Sequence, residues 1–319
     1  MQYRRMGRTG IRVSEISLGS WLTYGNTTER ETAIKTIDTA YDLGINFFDT
    51  ANAYARGAAE IVVGEALSKY PRESFVLATK VYFPMGDGPN DKGLSRKHVM
   101  ESAHASLKRL NVDYVDILYC HRPDPETPVD ETLRAFDDLI RQGKVMYMGV
   151  SEWSAVQMRE ALHVSDRLLL DRIVVNQPQY SMLNRNIEKE IIPLGEREGI
   201  GQVVFSPLAQ GVLTGKYKPG QQSPQGSRAT DPKQNMWIGN LLGDDILTKV
   251  ANLGVIASEL GMSMSQLALA WILRQPNVAS ALIGASRPEQ VSENAGASGI
   301  TLMKDVLQRI EVILGPDTY

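Results

Sequence analysis

Short β-branched and aliphatic runs alternate with amphipathic helical stretches along the whole chain. Eight runs read as strands: residues 15–19, 46–49, 75–80, 114–119, 145–150, 173–177, 202–205 and 279–283. Each is nearly continuously apolar, the pattern of parallel strands covered on both faces. Thr28 and Glu31 form a capping box ahead of Ala33, Ile34, Ile37, Ala40 and Tyr41, and Gly44 stands at the C-terminal cap position. Ser95 opens another helix, with Val99, Ala103, Leu107 and Leu110 on one stripe. Further helices are predicted near 127–142, 154–163, 186–198, 246–260, 263–274 and 288–298, with an amphipathic tail at 302–314.

Eight strands, each followed by a helix, predict an α/β protein with the (β/α)8 architecture of a TIM barrel. A doubly wound open sheet would carry G-x-G-x-x-G after its first strand, and Gly7, Gly10 and Gly19 do not form it. Three pieces stand outside the repeat. Residues 3–13 read as a hairpin that plugs the bottom of the barrel, and two long loops, 82–94 and 208–245, follow strands three and seven. On a barrel such loops fall on the C-terminal face, where active sites lie. No internal linker is found, so the reading is one domain over 1–319.

Composition narrows the function. The 43% apolar and 22% charged content is that of an ordinary globular protein, and a net charge of −3 gives no pull toward nucleic acid or an anionic membrane. No apolar run is long enough to span a bilayer, and no secretory signal is read at the N-terminus. Cys120 is the single cysteine, so no disulfide framework exists and a cytoplasmic location is expected. Asn26-Thr27-Thr28 matches the glycosylation pattern and, without an export signal, reads as chance.

Four polar residues change the picture. Asp49 closes strand two, Lys80 closes strand three, His121 follows strand four, and Tyr54 lies in the loop after Asp49. Singly, each has a plain structural reading as a turn, a solvated end or packing. Their convergence on one mouth is the catalytic signature of this fold. A tyrosine hydroxyl ordinarily titrates near 10. A lysine about 4 Å away pulls on it by roughly 4 kcal/mol at an effective dielectric of about 20, so Lys80 is expected to lower it. Asp49 would keep Lys80 charged and aimed, and His121 would donate to a substrate oxygen. The set is a proton donor for a developing alkoxide, with neither nucleophile nor metal, so a hydride must come from a cofactor. His98 and His104 face different ways on one helix and His163 lies on another, so no zinc or iron site is expected. Walker A, G-x-S-x-G and kinase signatures are absent.

A phosphate site is expected after strand eight, where Ser286 suits an N-cap, Pro288 a first helical position and Glu289 the first turn. Arg287, with Lys216 and Arg228 from the strand-seven loop, would neutralise an additional phosphate and favour NADPH/NADP+. The substrate pocket is expected to be a mostly apolar wall with Trp21, Tyr82 and Trp153 contributing beside Tyr54 and His121, and with Trp237 a weaker candidate.

Several stretches then carry a resemblance: Gly44-Ile-Asn-Phe-Phe-Asp-Thr-Ala51 with Tyr54, Thr79-Lys80, Leu118-Tyr-Cys-His-Arg-Pro-Asp-Pro125, Gly149-Val-Ser-Glu-Trp153, Asn176-Gln177, Ser206-Pro-Leu-Ala-Gln-Gly211, and Gly284-Ala-Ser286 on to Glu293-Asn294. Over about residues 3 to 315 the chain resembles the aldo-keto reductase superfamily. The Arg-Pro-Asp-Pro stretch and the Ser-Pro-Leu loop are most similar to the branch containing the voltage-gated potassium channel β subunits. The resemblance implies NADPH-dependent reduction of a small-molecule carbonyl substrate, with Tyr54 as proton donor, Lys80 and Asp49 as its tuners and His121 as the orienting donor. It assigns Ser20, Trp21, Ser151 and Gln177, with Asp49, to the nicotinamide end of the cofactor. Ser206, Pro207, Leu208, Ala209, Gly211 and Lys216 go to the pyrophosphate region. Arg228, Gly284, Ser286, Gln290, Glu293 and Asn294 go to the adenosine end. Phe205 stands where the family often places a stacking tryptophan or tyrosine. The channel subunits carry asparagine at the position of His121, whereas active reductases carry histidine. Glu152 stands where related proteins carry arginine or asparagine and is given no binding role. Relatives range from monomers to larger rings, which leaves a homo-oligomer open. The competing function is an NADPH-binding, redox-sensing regulatory subunit with little turnover.

Overall fold

The computed structural model describes residues 1–25, 27–232 and 235–315, so Asn26 of the glycosylation pattern and residues 316–319 of the expected domain lie outside them. A two-stranded antiparallel hairpin, β1 (Tyr3–Arg5) and β2 (Arg12–Ser14), precedes eight parallel strands. These are β3 (Ile16–Gly19), β4 (Phe47–Asp49), β5 (Val76–Val81), β6 (Val115–Cys120), β7 (Val145–Ser151), β8 (Ile173–Gln177), β9 (Gly201–Phe205) and β10 (Val278–Gly284). They pair in sequence order, and β10 closes the ring onto β3. Each predicted strand lies within a residue or two of an observed one.

The strands divide their side chains between two cores. Phe47, Val76, Ala78, Ile117, Tyr119, Val175 and Val203 point into the barrel, where Met6 and Val13 of the hairpin join them as the expected plug. Their chain neighbours Phe48, Leu77, Leu118, Cys120 and Val204 point outward beneath the helices. Because strand side chains alternate with period two, a continuous apolar run serves both faces.

Among the described residues ten α-helices surround the strands: α1 (Arg30–Asp42), α2 (Ala58–Leu67), α3 (Arg96–Leu110), α4 (Val129–Arg141), α5 (Ala155–Leu168), α6 (Ile191–Glu198), α7 (Asp244–Glu259), α8 (Met264–Leu273), α9 (Pro288–Ala295) and α10 (Lys304–Leu314). The Ser95 cap forms, accepting from the His98 N–H at 3.3 Å. Ser154 with Gln157 and Ser263 with Gln266 make reciprocal capping boxes on α5 and α8. The expected Thr28–Glu31 box does not form: α1 begins one residue late for it, at an N-cap of Glu29 with no side-chain bond, because Thr28 is bridged to Tyr24. The helix expected from 186 starts as α only at Ile191, after a 3-10 turn over Asn186–Glu188. Pro193 explains the delay, since a proline fits the first helical turn and not the interior.

The pattern passes over α2 altogether. Its Ile61-Val62-Val63-Gly64 core has no helical stripe, yet all but Ile61 of that run are buried. Gly64 decides the packing: a Cβ there would stand 2.3 Å from the Leu110 carbonyl oxygen at the end of α3. Among the described residues no single helix is long and apolar enough to cross a membrane.

Candidate active site

Extending the inward alternation by one step past the apolar barrel core reaches polar side chains. Phe47 is followed on its face by Asp49, Ala78 by Lys80, Tyr119 by His121 and Val175 by Gln177. Asp49, Lys80, His121 and Gln177 are all buried at the C-terminal mouth, and Tyr54 is half-buried above them on the loop after β4. The barrel admits this layer because Gly149 on β7 leaves room for the Tyr119 ring, which a Cβ would meet at 2.4 Å.

Lys80 Nζ donates to Asp49 Oδ1 and, at 2.8 Å, to the Thr50 carbonyl. Gln177 Nε2 donates to the other carboxylate oxygen of Asp49 at 2.9 Å. Ser20 Oγ donates to Thr50 Oγ1 at 2.8 Å, and Ser151 Oγ to the Gln177 carbonyl at 2.9 Å. The result is a belt of bonded polar groups around the mouth. Lys80 Nζ lies 5.1 Å from the centre of the Tyr54 ring, and the Tyr54 and His121 rings meet edge to face at 5.6 Å. His121 Nδ1 is buried with no hydrogen-bond partner among the described residues.

Burial governs the protons. It pushes the Asp49 carboxyl up and the Lys80 ammonium down, and in each the charge of the other partner opposes the shift. Burial, then the positive charges of Lys80 and Arg122, hold His121 well below the usual histidine range, so its ring is neutral. Tyr54 corrects the expectation drawn from spacing. Its hydroxyl is pushed well above 10 by burial and by the Asp49 carboxylate, with Arg122 pulling the other way. The Asp49 carboxylate thus pushes against the lowering expected from Lys80.

Two further side chains stand at this mouth that the pattern did not single out. The Phe83 ring packs edge to face on His121 at 4.8 Å and on Tyr82 at 5.3 Å. Arg122, half-buried, faces Phe83 at 5.6 Å. Both sit two residues beyond a strand end, so the strand-end rule carried slightly further finds them. Trp153 is 5% exposed within the outer core rather than open at the mouth, and Trp237 is 61% exposed.

The loops after β9 and β10 hold the remaining candidates. Phe205 is half-buried against the barrel core. Ser206, Ala209 and Gln210 take left-handed backbone at φ of 51°, 46° and 62°. Such backbone persists only where its surroundings impose it, and it gathers at binding loops. Gln210 Nε2 donates to Ser206 Oγ at 3.1 Å, Pro207 is buried, and exposed Lys216 lies beside Gly211. Ser286 does not cap α9. Arg287 occupies the N-cap, while the Ser286 N–H donates to Gln290 Oε1 at 2.9 Å. Gly284 and Glu293 are exposed and Asn294 is buried. Arg228 is brought over the Trp21 ring at 5.3 Å, and burial lowers its guanidinium to about 10. The contact joins two residues that the resemblance assigns to opposite ends of a dinucleotide. Glu152, at φ 58°, accepts from the Gln179 N–H at 2.8 Å.

The Aldo/keto reductase family profile matches residues 15–314. The chain belongs to that family. Members generally bind NADP(H) and take small-molecule substrates. Similar curated proteins include two described as "Probable voltage-gated potassium channel subunit beta". The one from Arabidopsis thaliana is 45% identical over 98% of this chain and 97% of its own length. The one from Oryza sativa subsp. japonica is likewise 45% identical, over 98% and 97%. These relatives of the aldo/keto reductase chain are thus named as channel subunits, whereas the family name denotes catalysis.

Proposed function

We propose that this chain is an NADPH-dependent reductase of aldehydes or ketones, a cytoplasmic enzyme working as one barrel unit over residues 1–319. The observation that carries the reading is the neutral His121 ring packed on Tyr54, directly above the buried Asp49–Lys80 pair. When bound, NADPH supplies the hydride that converts the carbonyl carbon to the alcohol, leaving as NADP+. The residues present fit that cofactor. Ser20, Trp21, Ser151 and Gln177 offer polar and stacking groups next to Asp49. Phe205 to Ala209, with Gly211 and Lys216, form a left-handed turn beside a cation. Gly284, Ser286, Gln290, Glu293 and Asn294, joined by Arg228 once it leaves the Trp21 ring, would receive the adenosine end.

Tyr54 gives its proton to the carbonyl oxygen as negative charge grows there. The hydroxyl, held above its ordinary range, carries its proton at neutral pH but is a weaker acid for it, so its release relies on the positive charge of Lys80 below the ring. Lys80 keeps positive charge below the Tyr54 ring and is held in place by Asp49 and the Thr50 carbonyl. His121 donates an N–H to the same oxygen and fixes its position. Trp21, Tyr82 and Phe83 form the apolar wall, with Trp153 behind it. General acids of this kind contribute about 10²–10⁴-fold. NADPH oxidation with a panel of small aldehydes should therefore fall by about that factor in Tyr54→Phe. Equal turnover by the two proteins would remove Tyr54 from the role.

The names of the relatives support a second reading, a cofactor-sensing regulatory subunit. It requires tight NADPH binding, negligible turnover and a stable partner recovered in pull-downs. His121, a donor at the position where the resemblance implies asparagine in a silent subunit, is the residue that favours the enzyme.

A further inference from the structure

Arg122 is the cation of the mouth that the carbonyl chemistry does not use. Its Nη1 donates to the carbonyl of its own neighbour His121 at 2.5 Å and to Ser151 Oγ at 3.4 Å, and its guanidinium faces the Phe83 ring. Among the described residues no carboxylate pairs with it. Asp124, two residues on, is already taken by the Leu94 and Glu126 N–H groups and the Thr127 hydroxyl. Asp49 is held by Lys80 and Gln177, and Glu152 accepts from Gln179. A half-buried guanidinium with two donors engaged has others to offer, and its planar fork matches a carboxylate. It bonds the His121 carbonyl and faces the Phe83 ring, which itself packs on His121 at 4.8 Å, so it stands beside the residue that would hold the reacting oxygen.

We infer that Arg122 binds the carboxylate of the carbonyl substrate, so that the preferred substrates of this site are short oxo acids. This rests on the reductase reading and names its substrate class. The aromatic edges of Phe83, His121 and Tyr54 enclose the carbon chain, and Arg122 terminates the pocket with the single positive charge that a monoanion requires. For the probe 4-oxobutanoate the balance is 4-oxobutanoate plus NADPH plus H⁺ giving 4-hydroxybutanoate plus NADP+, with the carboxylate unchanged.

The test compares 4-oxobutanoate with its uncharged methyl ester, in wild type, Arg122→Gln and Arg122→Lys. A lost bidentate charge-assisted bond is worth about 10- to 100-fold. Wild type should favour the acid over the ester in kcat/KM by at least about tenfold, and Arg122→Gln should erase that ratio, chiefly through KM. Arg122→Lys should restore it in part, since charge returns without the fork. Calorimetric titration of the NADP+-loaded protein with 4-hydroxybutanoate supplies a readout free of turnover, and its affinity should fall by the same factor in Arg122→Gln.

Wild-type turnover with no preference for the acid overturns the inference while the reductase stands. No turnover of either substrate, with 4-hydroxybutanoate binding that still depends on Arg122, overturns the reductase and leaves the anion site. No turnover and no such dependence overturns both. Loss of NADP+ affinity in Arg122→Gln exceeding the loss for 4-hydroxybutanoate also overturns the inference, by making Arg122 a cofactor contact.

Discussion

Around the ends of β4, β5, β6 and β8 the polar side chains are buried, with Asp49, Lys80 and Gln177 bonded to one another, whereas those after β9 and β10 are largely exposed and held by loop backbone. Asp49 and Lys80 are each at most 2% exposed, while Lys216, Gly284, Ser286 and Glu293 face solvent. The first group extends the packed barrel, so its geometry is set by strand register. The second lies on segments whose shape depends on turns such as the left-handed Ser206 and Gln210. Proton transfer tolerates little displacement, and the rigid side suits it. A cofactor that must enter and leave needs the side that can move.

The sharpest break of this comparison is at the buried pair. Asp49→Ala leaves the Lys80 ammonium and the Gln177 amide without their partner, and should destabilise the fold by about 3–5 kcal/mol in denaturant unfolding. Lys80→Met should cost a similar amount by stranding the carboxylate. Asp49→Ala combined with Lys80→Met should recover most of that loss while remaining inactive, because well-packed apolar replacements of a buried pair are often neutral or better. A double variant as unstable as the sum of the singles would mean that the pair holds the barrel together rather than serving its mouth.

Lys216→Ala probes the other side. Lys216 is exposed, so its loss should change stability by no more than about 0.5 kcal/mol. Removing a charge-assisted contact to phosphate should weaken NADPH binding by about 10-fold, read by fluorescence titration. NADPH should also raise hydrogen-exchange protection over 208–245, since Arg228 must leave the Trp21 ring for both to reach the ends of one dinucleotide. Unchanged protection there would show that the loop is as fixed as the strands.

The same division explains what could be read from residues alone. The strands, the plug and the inward placing of Asp49, Lys80 and His121 follow from period-two alternation, which the apolar runs display. Helix α2 escaped because apolar Ile61 and Ala58 share its outer face with Glu65, so no polar stripe marks it. Thr28 and Ser286 have the right chemistry for caps, yet a bridge to Tyr24 and a bond from the Ser286 N–H to Gln290 commit them elsewhere. The upward push on Tyr54 depends on burial, which residue spacing does not report. Phe83 and Arg122 lie just past strand ends, where direction is set by loop conformation. The nearness of Phe83 to His121 emerges only when β5 and β6 are laid side by side.

A pH-dependent effect belongs to His121, and it tests whether the rigid side also fixes protonation. In the folded chain its ring is held neutral by burial and by the charges of Lys80 and Arg122. In the unfolded chain it titrates near 6.5. Below that pH the unfolded state takes up a proton that the folded state refuses. The contribution of this group to stability is therefore complete above about 6.5 and is lost as pH falls, at no more than about 1.4 kcal/mol per pH unit. His121→Asn removes the titrating group and keeps a polar side chain of similar reach. Between pH 7 and pH 5 the wild type should lose about 1–2 kcal/mol more stability than His121→Asn in denaturant unfolding. Equal losses would mean that solvent reaches the ring and protonates it in place, and a mouth that open could not hold His121 as a neutral donor beside Tyr54.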